Sequence, residues 1–96
     1  MPVLLSLLSY TYIDGIAEHR APHREAHLAL IARYRAEERL AVAGAVGEPP
    51  HLGLLAFRTR EDGEAFVAED PYVAAGLVEQ WRLDPWSVVA AELHVA

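Results

Sequence analysis

The sequence contains neither cysteine nor lysine among its 96 residues. Without cysteine, the protein has no disulfide scaffold, no thiolate metal site and no cysteine nucleophile, and we expect it in a reducing, cytoplasmic compartment. Without lysine, no side-chain amine is available for Schiff-base chemistry. These two absences leave histidine, carboxylate, tyrosine and arginine side chains as the groups that could carry chemistry.

Positive charge and long apolar runs are also scarce. Eight basic residues, all arginine, stand against 14 acidic ones, which gives a formal net charge of −6. Phosphate groups repel an acidic protein, so we expect no nucleic-acid partner and no binding to an anionic membrane surface. No stretch approaches the roughly 20 apolar residues of a membrane helix. The apolar segment 1–10 lacks the basic start of a signal peptide.

Length and hydrophobic content predict a single domain over residues 1–96. A hydrophobic fraction of 53% can form a core, whereas the chain is too short for two cores. Apolar periodicity and turn signals predict elements in the order β-α-β-β-α-β. The predicted strands cover 3–12, 41–46, 51–59 and 78–95, the last interrupted at Asp84-Pro85. The segment 13–21 is predicted as a loop, one helix runs from Pro22 to about Leu40, a second covers 60–69, and one more helical turn falls within 72–77.

This order predicts an α+β fold, the ferredoxin-like βαββαβ sandwich, whose antiparallel four-stranded sheet carries two helices on one face. The strands, however, are apolar on both faces. In the third strand, Leu52 and Leu54 oppose Leu55 and Phe57. Because the helices cover only one face, we expect the other to pack on a second copy, giving a homodimer of the dimeric α+β barrel type. The alternative is a monomer with an exposed apolar face.

His27 is the first candidate for chemistry. It shares one helix face with Leu30, Ile31 and Tyr34, at i, i+3, i+4 and i+7, so we expect it to point toward the sheet. Histidine is the side chain best suited to proton transfer near neutral pH. The alternative is a core histidine bonded to a backbone carbonyl, and position alone favours that alternative.

Asp70 and Arg24 are the candidate partners of His27. Asp70 followed by Pro71 is typical of a helix N-cap, in which the carboxylate accepts a backbone N–H. The same carboxylate has a second oxygen, so it could also bond to His27 and hold the tautomer of the ring. Arg24 precedes His27 by about one helical turn and could hold a substrate carboxylate or enolate. The alternative is a solvated surface arginine.

Metal and cofactor motifs are weak or missing. His19, His23 and His27 recur every four residues, but Pro22 is expected to start the helix after His19, and no His-Glu-x-x-His spacing is present. We therefore expect no metal. The chain has no phosphate-binding glycine loop, dinucleotide fingerprint or nucleophile elbow, and we expect no organic cofactor. Gly44, near the end of the second strand, could let a ligand approach the backbone.

Three blocks of the sequence together resemble the YCII-related (YciI-like) family. They are Arg-x-x-His-Leu-Ala from Arg24, the Ala-Gly pair that ends at Gly44, and Asp-Pro-Tyr-x-x-Ala-Gly from Asp70. The resemblance implies a ferredoxin-like fold, a dimeric α+β barrel and a site centred on a His–Asp pair, which maps onto His27 and Asp70. Arg24, Gly44 and Tyr72 are then the candidates for substrate binding. One relative removes chloride from a hydroxylated chloroaromatic ring.

Two functions fit these residues. In the first, the protein is a small-molecule enzyme in which His27 is general acid or base, Asp70 orients it and Arg24 stabilises an oxyanion. Such a set suits proton abstraction, isomerisation or elimination, as in muconolactone isomerases or dehydrochlorinases. In the second, the protein is a non-catalytic ligand-binding or accessory module. An open cavity at His27 would favour an enzyme or a ligand site, and a filled one would favour a structural hydrogen bond. The sequence leaves the substrate open.

Overall fold

Four antiparallel strands form one sheet in the computed structural model, which describes residues 2–95. The order across the sheet is β2-β3-β1-β4, so β1 and β3 are central. This is the predicted ferredoxin-like α+β arrangement. The strands are β1 (Val3–Tyr12), β2 (Leu40–Val46), β3 (Leu52–Phe57) and β4 (Val78–Val88), and the helices are α1 (Ile16–His19), α2 (Ala21–Ala36), α3 (Arg60–Glu69) and α4 (Pro71–Ala74).

The core lies between the sheet and the two long helices, α2 and α3. Successive strand residues point to opposite faces, so Leu8 and Tyr10 of β1 turn the same way, toward the helices. His27 is buried on the side of α2 that also carries Leu30 and Tyr34, as its helical phase predicts. The buried cluster comprises Leu8, Tyr10, Leu30, Tyr34, Leu40, Leu55, Phe57, Phe66, Val67 and Leu83.

Helix α2 ends at Ala36, earlier than predicted. Glu38 adopts a left-handed φ of 59°, and the Arg39 amide donates to the carbonyl of Tyr34 at 2.9 Å. This pattern closes many helices, usually with glycine at the left-handed position. Because Glu38 occupies that position here, the sequence carries no signal of the stop.

Strand β4 runs through Asp84 and Pro85, so the predicted interruption was wrong. Proline is tolerated because β4 is an edge strand, whose outer side needs no backbone donor. The strand ends at Val88, and residues 89–95 have no regular structure. The predicted continuation of the strand to Val95 was therefore wrong as well.

Two short helices, α1 and α4, position side chains around His27. Helix α1 lies within the predicted loop 13–21 and leads through Arg20 directly into α2. Helix α4 starts after Asp70 and ends at Ala74. Just beyond it, Gly76 adopts a left-handed φ of 76°, and the Leu77 amide donates to the Tyr72 carbonyl at 3.0 Å. Among residues 2–95, no helix is long and apolar enough to cross a membrane.

The sheet face opposite the helices is largely apolar. By strand alternation this face carries Leu7, Leu54 and Trp86, which help to line a depression of about 310 Å³. An ion pair of 2.9 Å between Arg82 and Asp84 marks its polar margin on β4. Strands β1, β2 and β3 thus carry apolar residues on both faces of the sheet, as their sequences predict, whereas the outward-facing residues of β4 from Gln80 to Asp84 are polar.

Candidate active site

His27 and Asp70 meet in the interior. Helix α2 supplies the histidine, which is 5% exposed, and the junction of α3 and α4 supplies the carboxylate, which is 1% exposed. Nδ1 of His27 lies 2.8 Å from Oδ1 of Asp70. The pair therefore joins two elements that are 43 residues apart in the sequence.

The Asp70 carboxylate accepts two further hydrogen bonds. Its Oδ1 caps α4 by accepting the backbone N–H of Tyr72 at 3.0 Å, and its Oδ2 accepts the hydroxyl of Tyr10 at 2.7 Å. Burial, followed by the charge of Asp70, raises the pKa of Tyr10 above its usual range, so this phenol remains a donor. The predicted capping role and the contact with His27 thus coexist on a single oxygen.

These contacts fix the tautomer of His27. Because the Asp70 carboxylate is an acceptor, Nδ1 carries the donated proton, and in the neutral ring Nε2 carries the lone pair. Within residues 2–95, Nε2 makes no hydrogen bond and is not among the fully buried polar atoms. It is therefore the ring nitrogen available to a bound molecule.

Aromatic rings hold the imidazole on two sides. The Tyr72 ring stacks on it, with centroids 3.7 Å apart and planes 5° apart. The Phe66 ring approaches edge-on, with centroids at 6.2 Å and an interplanar angle of 79°. Together with the bond to Asp70, this packing restrains both the position and the rotation of the ring.

A cavity of about 220 Å³ opens beside His27. Helix α2, strand β2 and the residues around α4 form its walls, and none of the lining side chains is a carboxylate. The lining residues are Tyr12, Arg20, Arg24, His27, Leu28, Ile31, Ala43, Gly44, Ala45, Leu55 and Tyr72.

Two arginines and a tyrosine give one side of the cavity its polarity. Within residues 2–95, neither Arg20 nor Arg24 forms an ion pair with a carboxylate. Burial raises the pKa of Tyr12 to about 12; the neighbouring Tyr72 and Asp70 add to this rise, and the charges of both arginines oppose it. Tyr12 is therefore a neutral phenol near neutral pH, and both positive charges act on it.

Tyr12 and Tyr72 contribute hydroxyls of different kinds. The Tyr72 hydroxyl is buried and has no hydrogen-bond partner within residues 2–95. The Tyr12 hydroxyl lies over Gly53, where an added Cβ would collide with it and would come within 2.9 Å of its Cζ. Glycine at position 53 thus makes room for the Tyr12 side chain.

The five residues proposed from the sequence all lie at this cavity or beneath it. Arg24, His27, Gly44 and Tyr72 line it, and Asp70 lies behind His27. At Gly44, a Cβ would meet nothing within 4 Å, so the backbone there borders open space.

The other two histidines of the four-residue series make different contacts. Nδ1 of His19 lies 2.8 Å from the carbonyl of Gly15, and His23 is half-buried on α2. Neither lines the His27 cavity. In the part of the chain that the structure describes, no three histidine or carboxylate side chains are grouped as a metal would require.

Sequence reasoning missed Tyr10, Tyr12 and Arg20. Strand alternation places both tyrosines on one face of β1, and a buried tyrosine usually finds a partner for its hydroxyl. This rule could have predicted that the hydroxyls of these two tyrosines lie near polar groups. Arg20 carried no comparable signal, because it lies in the segment 13–21, which the sequence predicts to be a loop.

The sequence-family model of the YCII-related domain matches residues 4–87 of the chain. The chain belongs to this family. The resemblance found in the sequence is thereby confirmed. No curated protein sequence matches the chain significantly.

A solved structure similar to this YCII-related chain is that of 5-chloro-2-hydroxyhydroquinone dehydrochlorinase from Burkholderia phenoliruptrix AC1100, in complex with 2,5-dihydroxybenzoquinone. The identity is 22%, the TM-score is 0.70, and the alignment covers 86% of this chain and 93% of the other. At this identity, the likeness establishes a shared fold.

Proposed function

We propose that this YCII-related protein is a small-molecule enzyme that uses His27 and Asp70 as an acid–base pair. One observation carries the proposal: Nδ1 of His27 is held by a buried carboxylate, while the same ring borders an open cavity. A histidine with only a structural role would need no cavity on its other side. Fixed geometry and an accessible nitrogen are two of the requirements for a general base.

The reaction begins with proton abstraction. Nε2 of His27 takes a proton from a carbon beside a carbonyl group, or from a phenolic hydroxyl. The electron pair left behind moves onto the oxygen, giving an enolate or phenolate. Asp70 stabilises the imidazolium that forms, and Arg24 supplies positive charge for the oxyanion.

Two outcomes complete the reaction without an external oxidant or reductant. In an isomerisation, the imidazolium returns its proton to a different atom of the substrate. In an elimination, the electron pair of the enolate moves back to form a carbon–carbon double bond and expels a leaving group such as halide from a saturated carbon. A halogenated phenol first takes the proton back at the ring carbon that carries the halide, which makes that carbon saturated, and loss of a second hydroxyl proton to His27 then expels the halide. The imidazolium finally releases its proton to water. Similarity in fold to a dehydrochlorinase supports the second outcome.

The alternative is a non-catalytic ligand-binding or accessory module. The contacts of Asp70 are compatible with it, because they tie β1, α2 and α4 together whether or not chemistry occurs. The two functions differ in turnover, which makes a kinetic test decisive.

The test is a screen of hydroxylated and halogenated single-ring phenols and of lactones, followed by the His27→Ala variant. We expect the variant to remain folded and to lose turnover by about 10²-fold or more, the usual contribution of a positioned acid or base. His23→Ala, on the same helix but outside the cavity, is the matched control and should keep full turnover. Equal rates for His27→Ala and the unmodified protein would rule out the base role.

We also propose that the protein is a homodimer through the uncovered sheet face. Leu54, Val46 and Trp86 leave 36%, 38% and 40% of their surface exposed on this face. Contiguous apolar surface of this kind marks a contact region, and a two-fold axis would let the same patch cover itself.

Light scattering after gel filtration tests the dimer. We expect twice the 10.6 kDa mass of the chain. Trp86→Glu should shift the protein toward the monomer, because it places a charge in the contact. Trp81→Glu is the control, since strand register places Trp81 on the opposite face of the same strand. A monomeric unmodified protein would contradict the proposal.

A further inference from the structure

We propose that the His27 cavity binds a small single-ring molecule with a permanent negative charge, and that Arg20 and Arg24 together hold this charge. The inference rests on the proposed function for the identity of the site. It concerns binding, however, and binding can be measured without turnover. It assigns a role to Arg20, for which the reaction proposed above has no use.

The first support is the placement of the two arginines. They stand four residues apart at the start of α2, whose first turn contains no acidic residue. Like charges at this spacing repel, and positive charge is unfavourable at a helix N-terminus. The arrangement therefore opposes helix stability, and a bound anion would relieve it.

The second support is the lack of carboxylate partners for Arg20 and Arg24, in contrast to other arginines of the protein. Although the protein has a net charge of −6, half of its eight arginines have no carboxylate partner within residues 2–95. Two of these four, Arg20 and Arg24, line the same cavity. The paired arginines are Arg33, Arg39, Arg60 and Arg82.

The third support is an excess of hydrogen-bond donors at the cavity. The arginines donate only, and the neutral Tyr12 phenol adds one more donor. His27 contributes one hydrogen-bond acceptor, the lone pair of Nε2. A ligand rich in acceptors, such as a ring carboxylate, complements this set.

The size and the apolar wall of the cavity select a single ring. A dry cavity of about 150 Å³ is known to accept benzene, and this one measures about 220 Å³. Leu28, Ile31 and Leu55 provide apolar contacts for a ring. The remaining space suits one or two small polar substituents, so a hydroxylated monocyclic carboxylate is the class that we infer.

The experiment compares salicylate with catechol, which has the same ring size but no full charge at neutral pH. Binding is followed by amide chemical shifts of Leu28, Ala43 and Gly44. We expect salicylate to bind more tightly than catechol. Arg20→Gln and Arg24→Gln should each weaken salicylate binding by about tenfold or more, as expected for a lost charge-assisted bond.

Two controls separate this inference from general electrostatics and from catalysis. Arg35→Gln removes an unpaired arginine of α2 that lies outside the cavity, and it should leave salicylate affinity unchanged. His27→Ala should keep Arg-dependent salicylate binding. If the unmodified protein binds salicylate but turns over no substrate of the screen, the enzyme is refuted while the anion site is supported.

Three results would overturn the inference. One is the absence of saturable salicylate binding to the unmodified protein. Another is equal salicylate affinity in the unmodified protein and in the Arg20→Gln/Arg24→Gln double variant. The third is an equal loss of catechol and salicylate binding in that variant. Circular dichroism would check that the variant is folded, and removing repelling charges should not impair its folding.

Discussion

The imidazole of His27 lies flat against the phenol ring of Tyr72, with centroids 3.7 Å apart and planes 5° apart. This stack arises because Asp70 caps α4 through the backbone N–H of Tyr72 and bonds to His27 through the same oxygen. One carboxylate atom thus sets the relative placement of both rings. The ring of Tyr72 and its hydroxyl contribute differently, which gives a first prediction.

Replacing Tyr72 by phenylalanine should leave the unliganded protein as stable as before, or more stable by up to about 1 kcal/mol. The stacked ring remains, while a buried hydroxyl without a partner, which carries a desolvation cost, is removed. Tyr72→Leu, which removes the ring, should destabilise the protein by about 2–4 kcal/mol. Urea unfolding measures both. A clear loss of stability in Tyr72→Phe would show that the hydroxyl has a partner in solution.

Tyr10→Phe should destabilise the protein by about 1–3 kcal/mol, because it leaves Oδ2 of the buried Asp70 without a donor. Tyr34→Phe is the matched control. Its ring is equally buried, but its hydroxyl donates to Glu69, which is exposed to water. That loss should cost less, because water replaces the missing bond. Equal destabilisation in the two variants would show that the Tyr10–Asp70 hydrogen bond contributes no more to stability than the Tyr34–Glu69 bond.

Three of the four tyrosines should ionise late in the folded protein. Burial raises the pKa of Tyr12 and Tyr34 to about 12, assisted at Tyr34 by its bond to Glu69, and it raises the pKa of Tyr10 further. The unfolded chain loses these protons near the ordinary value of 10.0. Stability is therefore intact below pH 10 and falls as the pH rises toward 12.

Absorbance at about 295 nm, compared with and without urea, measures this difference between the folded and unfolded chain. We expect less tyrosinate in the folded protein at a pH between the two values, and an unfolding midpoint that drops over the same interval. Coincident titration curves would show that these phenols are accessible to water.

Gly53→Ala should destabilise the protein by about 1–3 kcal/mol, because the added methyl group displaces the Tyr12 ring from its place over β3. Gly44→Ala, on the neighbouring strand, is the control. A methyl group there meets nothing within 4 Å in the same chain, so in the single chain the change should be neutral or stabilise by up to about 1 kcal/mol. The denaturation midpoints of the two variants, compared with that of the unmodified protein, test this prediction. A neutral Gly53→Ala would mean that Tyr12 moves aside freely.

The parts of the fold and the site that could be predicted are those with a local cause. The helical phase of His27 and the capping signature of Asp70 lie within a few residues, and both were readable. The contact of Tyr10 with Asp70 spans 60 residues and depends on how β1 meets α4, which no local pattern records. The end of α2 could not be predicted, because Glu38, rather than a glycine, adopts the left-handed conformation that closes the helix.

The three hydrogen bonds on Asp70 have a consequence for the energetics of binding. They form when β1, α2 and α4 assemble, so the orientation of the imidazole is set during folding. An arriving molecule then meets a base that is already preorganised, and none of the binding free energy is needed to order it. The same coupling ties the site to the fold, since a variant that frees the ring also loosens the first turn of α4.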